Sequence, residues 1–118
     1  MNSINSLVIE GNAVNKAVLK ETARGTKLCS FSIASERYFK NGDGMEKEVS
    51  YFDIETWGNL AETCANIDKG RGLRVIGRIK QNRWTGSDGK PCSRIVIIAD
   101  HVEFKPIIFN KGEEYGSY

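Results

Sequence analysis

The chain has 118 residues, 40% hydrophobic and 27% charged, with 17 Lys and Arg against 15 Asp and Glu for a net charge of +2. This length suits one domain with a modest core and leaves no room for a second, and no apolar run is long enough to span a bilayer. The charge is uneven: residues 69–94 carry Lys69, Arg71, Arg74, Arg78, Lys80, Arg83, Lys90 and Arg94 against the single acid Asp88, a local +7 that leaves the remainder at −5 and marks a candidate polyanion site.

Period-two alternation dominates the chain. "INSLVIEGNAV" at 4–14 predicts a strand, with Gly11 at a bulge or a close approach of two backbones. "KLCSFSIAS" at 27–35 predicts a second, with Cys29, Phe31 and Ile33 on the core side. "KNGDGMEK" at 40–47 holds the Asn-Gly and Asp-Gly signals of a hairpin, and "EVSYFDIETW" is the returning strand. In that strand Phe52, Ile54 and Thr56 share one face, and Tyr51, Asp53, Glu55 and Trp57 the other.

A helix is predicted next, with Asn59 as its cap, Glu62 three residues on as in a capping box, and Leu60, Cys64 and Ile67 as its core stripe. Gly70 or Gly72 ends it. "LRVIGRIKQNRW" at 73–84 divides by parity into Leu73, Val75, Gly77 and Ile79 against Arg74, Ile76, Arg78, Lys80, Asn82 and Trp84. "TGSDGK" turns the chain, and "PCSRIVIIADHVEF" makes a long last strand ending at Phe104. From Pro106 onward periodicity stops, so residues 1–105 read as the domain and 106–118 as a short flexible tail.

Four or five closely spaced strands with one helix between the third and the fourth is the element order of an all-β, five-stranded Greek-key barrel of the OB type. A small open sandwich and an SH3-like barrel compete, and the helix position argues against both.

Several chemistries find no support. Cys29, Cys64 and Cys92 form no CxxC or Cys/His pair, so neither a disulfide framework nor a metal site is expected, and the thiols read as small packed groups. His101 stands alone beside Asp100, no dinucleotide or Walker glycine pattern occurs, and "KGRG" is too short for a phosphate loop, so neither catalysis nor a cofactor is expected. "MNSINSLVIEGN" lacks the basic and then apolar regions of a secretory signal, which points to the cytoplasm.

The aromatic residues are more informative. Phe31, Phe52 and Phe104 share strand faces with aliphatic neighbours and read as core, whereas Tyr51, Trp57 and Trp84 share faces with charge. Tyr38 and Phe39 lie where the second strand runs into a hairpin, between Arg37 and Lys40. Rings interleaved with cations suit a single-stranded nucleic acid, whose unpaired bases offer flat faces while its phosphates attract Lys and Arg. For any one ring, a half-buried place at a sheet edge or subunit contact is the competing reading.

The sequence resembles the bacterial single-stranded DNA-binding proteins of the replicative type over nearly all of residues 5–105. The likeness rests on "IEGNAV", "FSIAS", "WGNLAE", "KGRGLRVIGRI" and "NRWTGSDGK" in this order and spacing. It implies an OB-fold subunit of a cytoplasmic, nucleoid-associated homotetramer with single-stranded DNA wrapped over its surface, serving replication, repair and recombination. The family's stacking positions fall on Phe39, Tyr51, Trp57 and Trp84, with Tyr38 replacing or assisting Phe39. Its main phosphate partners fall on Arg74, Arg78, Lys80 and Arg83, and less firmly on Lys16, Arg37, Lys40 and Lys90.

Two departures stand out. The family's long tail ends in an acidic, Phe-containing tip that recruits other proteins, whereas here "NKGEEYGSY" supplies only Glu113 and Glu114, so recruitment of replication or repair proteins is not carried over. Asp53 and Glu55 also put acids where a neutral or basic face is expected, which weakens binding or narrows its mode. The alternatives are an OB-fold subunit of the primosomal type, whose rings contact proteins, and an RNA-binding OB module.

Overall fold

The computed structural model describes residues 1–107. Its elements are β1 (Leu7–Ala13), β2 (Val18–Glu21), β3 (Lys27–Asn41), β4 (Gly44–Trp57), α1 (Asn59–Cys64), β5 (Gly72–Thr85) and β6 (Pro91–Phe104). β1 pairs antiparallel with β5, β5 with β6 and β4 with β3, β6 lies parallel to β4, and β3 returns to β1. These five strands form a closed ring, and α1 falls between the third and fourth of them in chain order, as the OB reading requires. β2 lies outside the ring, continuing along β3 where β1 leaves it: Ala13 stands opposite Ile33, and Val18 opposite Ser30.

Alternating residues fill the barrel. Cys29, Phe31 and Ile33 from β3, Ile54 from β4, Leu73 and Val75 from β5, and Ile97 and Val102 from β6 form one buried cluster, with Thr56 buried beside them. The Thr56 hydroxyl donates to the Cys29 carbonyl at 3.0 Å, which satisfies that buried polar group. Burial pushes both core thiols up, Cys64 to about 11, so they stay protonated and behave as the small apolar groups their spacing suggests. A Cβ on Gly11 would sit 2.5 Å from the Ala34 carbonyl oxygen, the close backbone approach read from the sequence.

Three local expectations change. The helix is shorter than predicted: it ends at Cys64, Gly58 rather than Asn59 occupies the cap position with φ 66°, and no side-chain capping bond forms. Ile67 lies past the helix yet is buried in the core, held by a turn in which its N–H donates to the Cys64 carbonyl. β2 was not expected, because all four of its residues are exposed and carry no alternation; it forms by pairing with the stretch of β3 that β1 leaves free. The first of the two hairpins runs further than read, with β3 continuing to Asn41 and β4 beginning at Gly44 so that the loop is only Gly42 and Asp43, while the second turns between Thr85 and Pro91 as read.

Beyond the barrel these hairpins become two arms. Tyr38 and Lys47 stand opposite each other in one, Trp84 and Cys92 in the other, and most side chains there are exposed. No helix among the described residues is long and apolar enough to cross a membrane. The sequence reading of a flexible tail falls largely on residues 108–118, which lie outside the described part.

Candidate nucleic-acid interface

On β4 the alternation puts Tyr51, Asp53, Glu55 and Trp57 on the outer face, away from the buried Ile54 and Thr56. Their neighbours on β3 are Ala34, Ser32, Ser30 and Leu28 respectively. An alanine beside Tyr51 is too small to cover a ring, which helps explain why Tyr51 is 69% exposed, with Trp84 at 50% and Trp57 at 39%. Tyr51, Trp57 and Trp84, three of the five rings singled out from the sequence, therefore present surface to solvent.

Tyr38 and Phe39 go to opposite sides of their arm. Tyr38 has the parity of Ala34 and so the face of Tyr51, and it is 61% exposed. Phe39 has the parity of the core residues Phe31 and Ile33, is half-buried, and carries the Arg37 guanidinium 4.7 Å above its ring. A ring covered in this way offers less face to a base.

On β5 the residues Arg78, Lys80, Asn82 and Trp84 share one face, opposite Ile98, Val96, Arg94 and Cys92 of β6. Because Glu55 on β4 is level with Ile98, the β4 and β5 faces join across β6 into one outer surface. Arg83 has the other parity, donates to Gln81 Oε1 at 3.1 Å, and helps line an open groove of about 620 Å³ beside Trp84.

The cations divide into two groups. Arg74 bridges Glu10 at 2.7 Å and Glu103 at 3.0 Å, Arg78 meets Asp100 at 3.4 Å, Arg37 meets Glu48 at 3.1 Å and Lys16 meets Asp68 at 3.3 Å. Lys40, Lys80, Arg83 and Lys90 have no carboxylate partner among the described residues. Arg74, expected among the main phosphate contacts, is thus already neutralised within its own sheet. Glu10 is held below its ordinary 4.5, first by Lys105 and then by Arg74.

Sequence reasoning passed over Arg94. It reaches from β6 to β4 and grips Asp53 Oδ2 through Nε at 3.2 Å and Nη2 at 2.8 Å, while the Ser32 hydroxyl donates to Oδ1 at 2.6 Å. The acid that seemed out of place is thereby neutralised. Only the parallel pairing of β4 with β6 brings these residues together, and no local pattern announces it. The Ser32 bond and then Arg94 hold the Asp53 carboxyl below its ordinary 3.8. Its stabilising contribution is therefore complete above 3.8 and lost as pH falls through the lower folded value. Urea midpoints should decline as the pH is taken below about 4, and the decline should be shallower in D53N; parallel profiles would deny Asp53 this part.

Among the described residues no three His, Cys, Asp or Glu side chains are grouped to hold a metal. The assembly is instead one of flat apolar surfaces and cations spread over a curved sheet, suited to an extended ligand with both ring faces and negative charge.

Barrel, helix position and displayed rings together define an OB-fold protein whose outer sheet carries its candidate site. Residues 4–105 match the model of the single-strand binding protein family, and the chain belongs to that family. It is 36% identical over 104 residues to the single-stranded DNA-binding protein of Treponema pallidum, covering 87% of this chain and 58% of that protein. It is 32% identical over 107 residues to single-stranded DNA-binding protein 2 of Chlorobaculum tepidum, covering 88% and 72%. The chain thus spans somewhat over half to nearly three quarters of these relatives' lengths. Among solved structures, the Plasmodium falciparum SSB complex with ssDNA superposes with a TM-score of 0.78 at 20% identity, over 88% of this chain and 96% of that one, a likeness of fold.

Proposed function

We propose that this protein binds single-stranded DNA with little sequence specificity, stacking bases on Tyr51, Trp57, Trp84 and Tyr38 and drawing the phosphates with Lys80, Arg83, Lys40 and Lys90. The observation that carries the reading is the solvent-facing set Tyr51, Trp57 and Trp84 on a sheet that also displays unpaired cations. Its family membership and its similarity to proteins described as single-stranded DNA-binding support it further. Phe39, with one face under Arg37, takes a lesser part than Tyr38, and the ion-paired Arg74, Arg78, Arg37 and Lys16 contribute less than the unpaired cations. Neither stacking nor phosphate attraction reads bases, so the protein covers single strands wherever they arise in replication, repair and recombination. It does so as a homotetramer in the cytoplasm, at the nucleoid.

Tryptophan fluorescence titrated with dT and rU oligomers of several lengths, combined with the solution mass with and without poly-dT, tests this. Strong quenching by dT, a tetramer mass and a site size of tens of nucleotides are expected. Absence of quenching would overturn the reading in favour of a protein-interaction subunit, and a preference for rU in favour of RNA.

The division of cations gives a second expectation. Each phosphate contact on a single strand adds about 0.7 to the slope of log affinity against log salt. K80Q and R83Q should each flatten that slope by about this amount, whereas R74Q should leave it nearly unchanged because Arg74 already faces two carboxylates. Equal flattening in all three variants would mean that the internal ion pairs open on binding.

A further inference from the structure

We propose that Arg94 is a further phosphate-binding residue, held in reserve by Asp53 and released to the strand when DNA lies across the outer face. The inference rests on the single-stranded DNA reading above and concerns the same surface.

Its basis is position. Asp53 stands on the outer face of β4 between Tyr51 and Trp57, so a strand passing from one ring to the other crosses the carboxylate. An uncompensated negative charge there would repel the phosphates. Arg94 comes from β6, where it faces Asn82 and lies two residues from Cys92, the partner of Trp84. The guanidinium therefore sits between the ring on the β5–β6 arm and the two rings on β4. The Arg74 pairs differ: they tie β5 to Glu10 of β1 and Glu103 of β6, at the end of β5 away from Trp84.

The pair is also made to exchange. Both of its nitrogen contacts go to one oxygen, Asp53 Oδ2, and the two side chains are 54% and 42% exposed. Exposed ion pairs contribute little to stability, so trading the carboxylate for a phosphate oxygen of like charge and geometry costs little. The Ser32 hydroxyl stays on Oδ1 and keeps the carboxylate anchored when the guanidinium moves away. Before binding, the pair presents a neutral surface; afterwards the guanidinium sits on a phosphate where the strand changes from one aromatic platform to the next, and the freed carboxylate is the cost that a neutral side chain at 53 would remove.

The test is a mutant cycle read by oligo-dT titration over a range of salt concentrations. D53N keeps the shape of the side chain and an acceptor for Ser32 while removing its charge. It is expected to bind about 2- to 5-fold more tightly, because Arg94 no longer leaves a carboxylate unpaired when it turns to the phosphate, with a salt slope close to wild type, since both proteins make the same contact. In D53N/R94Q the gain should vanish and the slope should fall by about 0.7 below wild type, because the contact itself is gone. Independently of the D53N variant, the Arg94 Nε–H resonance should move when the wild-type protein is titrated with oligo-dT. A gain that survives in D53N/R94Q would overturn the proposal, because removing a repulsive charge would then suffice. Unchanged affinity in D53N, or a stationary Arg94 resonance, would overturn it too, while leaving wild-type binding and the parent reading intact. Wild-type protein that does not bind dT at all would overturn both.

Discussion

Trp84→Ala is expected to weaken binding to oligo-dT by about 5- to 150-fold at fixed salt, the range that corresponds to the 1–3 kcal/mol carried by one base stacked on an aromatic ring. The loss should appear without a matching loss of fold. Trp84 is half exposed on an arm beyond the barrel, pairs with Cys92 and has no place in the core cluster, so the thermal midpoint should hardly move. Trp84→Phe retains a flat face and should keep most of the affinity. Trp57→Ala should also lose binding, with some loss of stability, because that ring is only 39% exposed and stands beside Leu28. Salt slopes should be nearly unaltered in all of these variants, since a ring carries no charge. Unchanged dT affinity in both Trp84→Ala and Trp57→Ala would remove stacking as the basis of binding.

Gly77→Ala is expected to destabilise the fold by about 3 kcal/mol or more, the upper end of what overpacking costs. A Cβ there would be driven into the carbonyl group of Ile98, with the Ala99 Cα only 3.0 Å away. These are backbone atoms, so no side chain can swing aside. The site is crowded because three strands meet at it: Gly77 faces Leu7 of β1 on one side and Ala99 of β6 on the other, where the register slips so that Ile76 faces His101. Opening the β5–β6 ladder to make room would disturb the strand that joins the two outer faces. Urea unfolding of the alanine variant should show a clearly lower midpoint, and a midpoint equal to the wild type would mean the ladder yields easily there. Gly77 shares the side of Leu73 and Val75, and the close approach of the Ile98 backbone is what denies it a side chain.

How far the amino-acid pattern carries depends on the range of the interaction. Where one strand buries one face, parity suffices: the inward Cys29, Phe31 and Ile33 and the outward Tyr51, Trp57 and Trp84 follow from alternation alone. β6 could be delimited at both ends, yet it buries Val96, Ile97, Ile98 and Ala99 in succession, so alternation could not say which side faces the barrel. β2 has four exposed residues and forms through the free stretch of its partner. The cap moved because Gly58 takes a backbone conformation in which the helix begins one residue after it. For the site, residue types indicated rings and cations, but their availability depends on partners distant in sequence. Arg74 is neutralised by Glu10, and Arg94 finds Asp53 across strands that never adjoin in sequence. Parity within β3 separates Tyr38 from Phe39, and extending the alternation read at 27–35 by four residues would have assigned the exposed one.

The ring of strands is stitched unevenly. β3 and β4, and β5 and β6, are each neighbours along the chain and zip along most of their lengths, whereas β4 meets β6 only at Ile54–Ile97 and Glu55–Ile98 and β3 meets β1 only at Asn12–Ala34 and Ala13–Ile33. Local zippers lose little chain entropy as they form, while joining β4 to β6 across some forty positions for only two residue pairs loses more, and β1 to β5 spans further still but gains six pairs. Folding kinetics should reflect this: Ile54→Val and Ile97→Val should slow refolding if the seam belongs to the rate-limiting step, whereas substitutions near the hairpin tips should act on unfolding alone. The architecture that lays a continuous path for a ligand across β6 thus also obliges the molecule's own assembly to knit that strand to β4 across a long span of chain.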